Sequence, residues 1–223
     1  MQIIKKSYPW YHEIATEILS KDDFKALQAF CKKKIPSYMK PHKYSLLPPK
    51  EWDSEQINKI ALKLSKKIKN YFNSNQINFP EARLFREGYI TTIDLNFSPP
   101  APYAYPVHDE NIMKSFSFVM YISPEKNTGT HLYLKANSSR PEYTVSWMAN
   151  SALLFAGVEN KTWHSYTSLN NQVRITLNIN LIPTFYFANT SLHYESSQNM
   201  VFIYREGTPN IFINNKILLN FWE

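Results

Sequence analysis

The chain of 223 residues has little glycine and almost no cysteine. Its four glycines are too few to assemble a phosphate-binding loop of the GxGxxG or GxxxxGK type, which excludes doubly wound nucleotide-binding folds and P-loop enzymes. Its one cysteine, Cys31, excludes an internal disulfide framework and a cysteine-based zinc site. A single free thiol fits a reducing compartment, so we expect a cytoplasmic protein.

Long apolar runs are also missing from the sequence. No segment approaches the 18 consecutive apolar residues of a membrane span, and the first thirty residues carry charges where a signal peptide needs an apolar centre. We therefore expect no membrane partner. A content of 43% apolar and 15% aromatic residues is ample for a core, and we expect one domain over 1–223.

The net charge of +7 is concentrated at the N-terminus. Residues 1–86 hold 17 Lys and Arg against 8 Asp and Glu, whereas residues 87–223 hold 8 against 10. Most of these lysines lie opposite apolar stripes, and no aromatic residues interleave with them as stacking platforms for bases. We therefore interpret the lysines as a solvated helix face, and nucleic acid is not an expected partner.

Two amphipathic helices are predicted in this basic region. The first runs from about Lys21 to Lys34, with Ser20 as its N-cap. The second begins at the capping-box-like sequence Asp53-Ser54-Glu55-Gln56. The inward residues at helical spacing are Phe24, Leu27 and Phe30 in the first helix and Ile57, Ile60, Ala61, Leu64 and Ile68 in the second.

After Pro80 the sequence pattern becomes that of β-strands. Runs of aromatic and β-branched residues follow one another, with turn residues between them, which is typical of a sandwich or barrel. Prolines 99, 100, 102 and 106 predict a loop before the next strand. The predicted strands are 84–97, 116–122, 131–134, 143–148, 152–156, 162–166 and 172–182, with further short strands from Pro183 and a candidate hairpin at Asn214-Asn215.

The segment from Val173 to Leu181 has two cleanly separated faces. Its odd positions are apolar, and its even positions are Arg174, Thr176, Asn178 and Asn180. The polar face could look at bulk water, as on an ordinary half-buried sheet. Alternatively, the N-terminal helices cover the apolar face and the polar face lines an interior pocket, where an arginine requires an anion.

The spacing of His108, Glu110, His164 and Arg174 fits a two-histidine, one-carboxylate metal site with an arginine for a dicarboxylate. Residues 108 and 110 project to the same side of an extended segment, and His164 would supply the third ligand. Asp109 would project to the opposite side, so we favour Glu110 as the carboxylate.

These motifs resemble the 2-oxoglutarate/Fe(II)-dependent oxygenase family, in particular small prolyl-4-hydroxylase-like members. The resemblance covers about residues 89–182. It rests on Pro106-Val-His-Asp-Glu110, Phe118-Val-Met-Tyr-Ile-Ser123, Gly129-Thr-His-Leu-Tyr133, Ser151-Ala-Leu-Leu-Phe155, Trp163-His-Ser165 and Arg174-Ile-Thr176. It implies a mainly β fold with some α, namely a double-stranded β-helix or jelly roll. In that fold 1–83 would be a helical buttress, 84–182 the jelly-roll core and 183–223 a strand extension.

The resemblance also implies a site and a reaction. Fe(II) would be ligated by His108, Glu110 and His164, and the distal carboxylate of the cosubstrate 2-oxoglutarate would lie on Arg174, with Thr176 as helper. Tyr121 could donate its hydroxyl to the cosubstrate or simply pack in the core. The implied enzyme is a dioxygenase that hydroxylates a small molecule, such as an amino acid, or a protein residue. It would use dioxygen and release succinate and carbon dioxide, with ascorbate as an accessory reductant.

Two other functions stay open at this stage: an oxygenase acting on nucleic acid, and a catalytically silent jelly-roll binding module. Some polar residues are weaker candidates. His131 and Tyr133 share a face that could contact substrate or solvent, and Asn178 and Asn180 are expected to line the pocket. His12, His42 and His193 lack partners at metal-ligand spacing and are interpreted as structural.

Overall fold

The structure is a computed structural model. It describes residues 1–39, 43–75, 78–79, 89–109, 114–169, 171–183, 191–195, 200–204 and 211–214. For 89–90, 183 and the last three of these segments, only the backbone is described.

Two α-helices form where the amphipathic patterns predict them. Helix α1 spans Lys21–Tyr38, and the Ser20 hydroxyl accepts a hydrogen bond from the backbone N–H of Asp23 at 3.2 Å, as its N-cap position requires. It continues past the predicted end at Lys34 and includes Pro36 in its last turn. Helix α2 spans Glu55–Asn75. All eight predicted inward residues are buried or packed against the core.

The larger sheet has seven antiparallel strands in the order β1-β2-β9-β6-β11-β4-β3. Its central pairings join β11 to β6 and β4, so the strand with the two separated faces lies inside the sheet. The strands are β1 Gln2–Lys6, β2 His12–Thr16, β3 Ser45–Leu47, β4 Tyr89–Ser98, β6 Phe116–Ser123, β9 Ala152–Ala156 and β11 Arg174–Pro183.

A second sheet of four antiparallel strands has the order β5-β10-β7-β8. These strands are β5 Ala104–His108, β7 Thr130–Tyr133, β8 Tyr143–Val145 and β10 Trp163–Thr167. From β4 onwards the chain passes back and forth between the sheets, with β4, β6, β9 and β11 in the larger one and β5, β7, β8 and β10 in the smaller one. This arrangement is the predicted double-stranded β-helix. The fold is therefore mainly β with two helices, as the sequence indicated.

The N-terminal part is not only helical, and this corrects the expectation of a helical buttress over 1–83. Strands β1, β2 and β3 extend the larger sheet at both of its edges. The helical pattern dominated the prediction because these strands are short, whereas cross-strand pairing with β9 and β4 decides their conformation.

Two apolar clusters divide the molecule into layers. The larger cluster joins α1 and α2 to the outer face of the seven-stranded sheet and includes Ile175, Leu177 and Ile179. The smaller cluster lies between the two sheets and joins residues such as Tyr121 and Leu132. The helices therefore cover the apolar face of β11, as predicted, and the polar face of that strand points between the sheets. Among the described residues, no helix is long and apolar enough to cross a membrane.

The C-terminal part forms a separate three-stranded antiparallel sheet of β12 Ser191–Glu195, β13 Met200–Tyr204 and β14 Ile211–Asn214. Short strands after Pro183 were predicted. The hairpin predicted at Asn214-Asn215 extends beyond the described residues.

Candidate active site

His108 and His164 lie opposite each other on neighbouring strands β5 and β10. Their ring centroids are 4.2 Å apart, with an angle of 52° between the ring planes. His164 is buried, with 8% of its surface exposed, and His108 is half-buried. Two histidines at this separation can bind one metal ion, so the structure brings together two of the three predicted ligands.

A β-bulge in β5 shapes this end of the strand. His164 pairs with His108, but Tyr166 pairs with Tyr105, so β5 has one more residue than β10 between the two pairs. The bulge places Tyr105 and His108 on the same face although they are three positions apart. Pro106, which cannot donate to the ladder, lies inside the bulge. The prolines had predicted a loop, and Pro99, Pro100 and Pro102 do lie between β4 and β5. At Pro106 the structure corrects the prediction to a strand with a bulge.

Both histidines have the tautomer that a metal ligand needs. Nδ1 of His108 lies 3.0 Å from the carbonyl oxygen of Pro106, and Nδ1 of His164 lies 2.8 Å from that of Thr162. Because a carbonyl oxygen only accepts, each Nδ1 carries the proton and each Nε2 carries the lone pair. A backbone acceptor on the second ring nitrogen is also what orients histidine ligands in metal sites.

The carboxylate ligand is not settled by the described part of the chain, because Glu110 lies outside it. Asp109 is described, and its Oδ2 accepts a hydrogen bond of 2.7 Å from the backbone N–H of Asn160. That bond ties the end of β5 to the loop before β10. Within the described residues, no three His, Cys, Asp or Glu side chains are close enough to hold a metal ion, and this set leaves out Glu110.

Arg174 lies at the start of β11 and is 2% exposed. Its guanidinium carbon is 3.9 Å from the ring centroid of Tyr166, 4.9 Å from that of Trp147 and 5.9 Å from that of Tyr121. Three aromatic rings therefore surround the cation. Among the described residues, no carboxylate forms an ion pair with Arg174 and its Nε has no hydrogen-bond partner.

This environment is unfavourable for an isolated cation. Burial lowers the pKa of Arg174. A buried guanidinium has a large desolvation cost that aromatic rings offset only in part. The arrangement therefore favours the binding of an anion at this end of the cavity, and a carboxylate can accept two parallel hydrogen bonds from a guanidinium.

Tyr121 and Thr176 are cross-strand partners on β6 and β11, and both are fully buried next to Arg174. The Tyr121 hydroxyl lies 2.9 Å from the hydroxyl of Thr130, and its ring stacks on Trp147. Burial raises the pKa of Tyr121, so the hydroxyl stays protonated. The ring of Tyr121 packs in the core, which is one of its two predicted roles. Its hydroxyl lies among polar groups, so donation to a cosubstrate stays a prediction.

The polar side chains of β11 lie next to further inward-facing polar side chains on the two neighbouring strands, β4 and β6. Asn180 is 7% exposed; its Oδ1 accepts from the Ser117 hydroxyl at 3.0 Å and its Nδ2 donates to the Thr92 hydroxyl at 3.3 Å. Asn178 pairs across to Asp94 on β4. The prediction that the polar face of β11 lines the interior is therefore confirmed, and the alternative that this face is exposed to bulk water is wrong.

Sequence reasoning missed the contribution of β4 to the site. Its inward residues are Thr92, Asp94, Asn96 and Ser98, and its outward residues Ile93, Leu95 and Phe97 belong to the large apolar cluster. This alternation was present in the sequence and repeats that of β11. It could have identified a second polar strand beside the first.

Two tyrosines near the histidines were also missed. The rings of Tyr105 and Tyr166 are stacked, with an angle of 5° and a centroid distance of 5.3 Å. Tyr105 also contacts His108 at 4.7 Å between ring centroids. Tyr166 is two residues after His164 on the same face, so it links the histidine pair to Arg174.

His131 and Tyr133, unlike Asn178 and Asn180, lie on the face of their strand that points away from His164. His131 and Tyr133 share a face of β7, opposite to that of Leu132, which pairs with His164. His131 is hydrogen-bonded to the hydroxyls of Thr144 and Thr167. His12 is fully buried, with Nδ1 on the carbonyl of Trp10. The structure around His42 and the side chain of His193 is outside the described residues.

Similarity to known proteins is structural only. No protein-family model matches the sequence, and no curated protein sequence matches it. Among solved structures, a prolyl hydroxylase from Trichoplax adhaerens in complex with a hypoxia-inducible-factor peptide is similar with a TM-score of 0.61 and 13% identity. The similarity covers 81% of this chain and 87% of that one.

Two further structures have the same fold. A Pseudomonas putida prolyl-4-hydroxylase is similar over 77% of this chain and 92% of its own, with a TM-score of 0.57 and 16% identity. The non-heme alpha-ketoglutarate-dependent carbocyclase SnoK of nogalamycin biosynthesis is similar over 78% and 80%, with a TM-score of 0.51 and 9% identity. The chain therefore has the jelly-roll fold of the 2-oxoglutarate-dependent oxygenases, a fold that supports more than one reaction.

Proposed function

We propose that the protein is an Fe(II)- and 2-oxoglutarate-dependent oxygenase that hydroxylates a small molecule or a protein residue. The observation that carries the proposal is Arg174, a buried guanidinium without an acidic partner among the described residues. It packs against Tyr166, which follows one member of the histidine pair by two residues on β10. The oxygenase fold of the solved structures supports it.

The residues present fit the groups that such an enzyme needs. His108 and His164 would hold Fe(II) through Nε2, and Glu110 would be the carboxylate ligand. Asp109 is a poorer candidate because one of its oxygens already accepts from the backbone of Asn160. Arg174 would bind the distal carboxylate of 2-oxoglutarate, with Thr176 and the Tyr121 hydroxyl beside it.

When bound, iron and 2-oxoglutarate supply the activation of dioxygen: the cosubstrate is oxidised to succinate and carbon dioxide, and the second oxygen atom is inserted into a substrate C–H bond. The chain's own residues orient and shield this chemistry. The backbone carbonyls of Pro106 and Thr162 fix the histidine tautomers. The rings of Tyr166, Trp147 and Tyr121 exclude water from the guanidinium, which strengthens its attraction for a carboxylate.

The distal carboxylate gives a direct test. We would titrate the protein anaerobically with Fe(II), and then with 2-oxoglutarate or with 2-oxobutyrate, which lacks that carboxylate. The wild type should bind 2-oxoglutarate at least tenfold more tightly, because only this ligand satisfies Arg174. Arg174→Ala should weaken 2-oxoglutarate binding roughly 30- to 1000-fold and remove the discrimination, and Arg174→Lys should give an intermediate loss because it keeps charge without the planar fork.

The metal provides a matched comparison. His164→Ala should abolish Fe(II) binding and succinate release, whereas His131→Ala, a histidine on the opposite face, should leave both unchanged. Equal affinities for 2-oxoglutarate and 2-oxobutyrate in the wild type would contradict the proposal. Unchanged Fe(II) binding in His164→Ala would contradict the metal assignment.

A further inference from the structure

Three residues next to the predicted cosubstrate site form a group of hydrogen-bond acceptors. Asp94 and Asn178 are cross-strand partners on β4 and β11, and Asn96 is two positions from Asp94 on β4. Cross-strand partners have Cβ atoms about 5 Å apart, and residues two apart on a strand lie on the same face. The three side chains therefore form one patch between the sheets, which we call the acceptor patch.

The side-chain oxygens of the acceptor patch have no hydrogen-bond partner among the described residues. The Oδ1 atoms of Asn96 and Asn178 are buried without a hydrogen-bond partner. In the described part of the chain, the Asp94 carboxylate has no ion pair or hydrogen bond either. A second interior carboxylate does have partners: Glu13, which is fully buried where Asp94 is half-buried, accepts from the hydroxyls of Tyr11 and Tyr71. Five other described side chains also have a buried polar atom without a partner, among them Ser45 and Thr91. The acceptor patch differs from them because two such oxygens lie beside a carboxylate.

The electrostatics of Asp94 agree with a missing partner. Burial of its carboxyl raises its pKa to about 6, although the positive charge of Lys114 acts in the opposite direction. Above about pH 6 the Asp94 carboxylate is therefore negatively charged. A cation that binds next to it would offset the cost of burying this charge.

The acceptor patch lies between the two ends of the cavity. Arg174 and its partner Ser98 mark one end. At the other end, Asn180, Ser117 and Phe155 form a cross-strand row, and the ring of Phe155 contacts that of His164 at 5.1 Å between centroids. Asn178 is in the row next to Asn180, so the acceptor patch is beside the histidine end.

The edge of the larger sheet next to the acceptor patch is exposed to solvent. Leu46 on β3 is the cross-strand partner of Asn96 and faces the same side, yet 47% of its surface is exposed. Across the gap, the ring of Tyr44 contacts that of Tyr105 beside His108. A ligand entering here would pass an apolar and aromatic rim before it met the acceptor patch.

We propose, building on the proposed function, that Asp94, Asn96 and Asn178 bind the cationic amino or guanidino group of the oxygenase substrate. An ammonium group has three donors and no acceptor, and a guanidinium has five donors, so either satisfies one carboxylate and two amide oxygens together. The apolar rim fits the aliphatic stem of such a group. The substrate class is thus a basic amino acid, either free or as a lysyl or arginyl residue of a peptide.

The experiment compares charged ligands with neutral counterparts. Succinate release from 2-oxoglutarate is measured at pH 8 with L-lysine, L-arginine and short lysyl and arginyl peptides. Norleucine, Nε-acetyl-lysine and citrulline, which keep the aliphatic stem without the side-chain cation, are the counterparts with a neutral side chain. At least one cationic compound should stimulate turnover or bind at least tenfold more tightly than its neutral counterpart. Free amino acids and peptides then distinguish the two sources of the cation.

Two variants test the acceptor patch itself. Asp94→Asn should weaken binding of the preferred cation by about 10- to 100-fold, because the charge is removed and the shape kept. Asn178→Asp adds a second carboxylate and should strengthen that binding. Asp22→Asn, which removes an exposed carboxylate on α1, is the matched control and should change nothing. Opposite effects of the first two variants cannot arise from a general loss of folding.

Failure of this inference differs from failure of the proposed function. If 2-oxoglutarate binds in an Arg174-dependent manner but neutral compounds bind as well as cations, the inference is overturned and the proposed function stands. The same conclusion follows if no cationic compound binds. If 2-oxoglutarate does not bind at all, the proposed function fails. Cation binding that depends on Asp94 without 2-oxoglutarate turnover would still support the acceptor patch.

Discussion

The guanidinium carbon of Arg174 lies 3.9 Å from the centre of the Tyr166 ring, and the hydroxyl of that tyrosine is 2.8 Å from the hydroxyl of Ser98. Ser98 is the cross-strand partner of Arg174. The ring of Tyr166 therefore contacts Arg174 through its face, and its hydroxyl is hydrogen-bonded to the residue beside Arg174. Tyr166 follows His164 by two residues on the same face of β10. One strand therefore supplies both a predicted metal ligand and the ring that positions the predicted cosubstrate anchor.

This relationship predicts different effects for two substitutions of Tyr166. Tyr166→Phe keeps the ring and loses the hydrogen bonds of its hydroxyl to Ser98 and Tyr103, so the dissociation constant for 2-oxoglutarate should change by less than about threefold. Tyr166→Leu loses the cation–π contact, worth about 0.5 to 2 kcal/mol, and should raise that constant by about 3- to 30-fold. Calorimetric titration measures both. Equal losses in the two variants would show that the ring does not position Arg174.

Asp94 should reduce the stability of the ligand-free protein at neutral pH. Its pKa is raised to about 6 from 3.8, so between these pH values the folded state binds a proton that the unfolded state lacks. Stability therefore falls as the pH rises through this window and stays reduced above it. We expect Asp94→Asn to raise the free energy of unfolding by about 1 to 2 kcal/mol above pH 6.

The same linkage requires that the gain disappear below about pH 4, where Asp94 is protonated in both states. Urea denaturation of the two proteins at pH 4 and pH 7.5 measures the difference. A gain that is equal at the two pH values would mean that the charge of Asp94 is not its cause.

Substitutions at residues 109 and 110 should separate two roles. Glu110→Gln should abolish Fe(II) binding, because an amide is a poor replacement for an anionic ligand. Asp109→Asn should weaken the hydrogen bond to the backbone of Asn160 and lower stability by about 1 kcal/mol, with Fe(II) affinity retained. Fe(II) titration of both variants measures the effect on metal binding, and thermal unfolding measures the effect on stability. Loss of metal in Asp109→Asn alone would reverse the assignment.

Gly129 should not tolerate a side chain. A Cβ at this position would lie 1.5 Å from the backbone carbonyl oxygen of Val145, on the neighbouring strand β8. Because the backbone must move to admit it, Gly129→Ala should cost more than about 3 kcal/mol. Ser138→Ala, on the loop between β7 and β8, is a comparison that should cost about 1 kcal/mol or less. Denaturant unfolding of both variants gives the two values, and equal stabilities would contradict the close packing.

Much of the fold and part of the candidate site could be predicted from the sequence. Helical spacing identified α1 and α2, because their apolar residues recur on one face whatever that face packs against. The alternation in β11 identified two faces for the same reason. The spacing of His108, His164 and Arg174 predicted the candidate site, and the structure brings the two histidines together. Their role as ligands, and that of Glu110, stays a prediction.

Tertiary structure alone decided the remaining features. Strands β1 to β3 are too short for a local signal, and their conformation depends on hydrogen bonds to strands far along the chain. The bulge that puts Tyr105 and His108 on the same face of β5 depends on pairing with β10. Pro106 by itself indicated only that regular strand pairing is interrupted. Likewise, the alternation in β4 could not show that Asp94 lies beside Asn178, because register is set by the packing of the whole sheet. Local periodicity is encoded residue by residue, whereas the environment of Arg174 and Asp94 exists only once the two sheets enclose them.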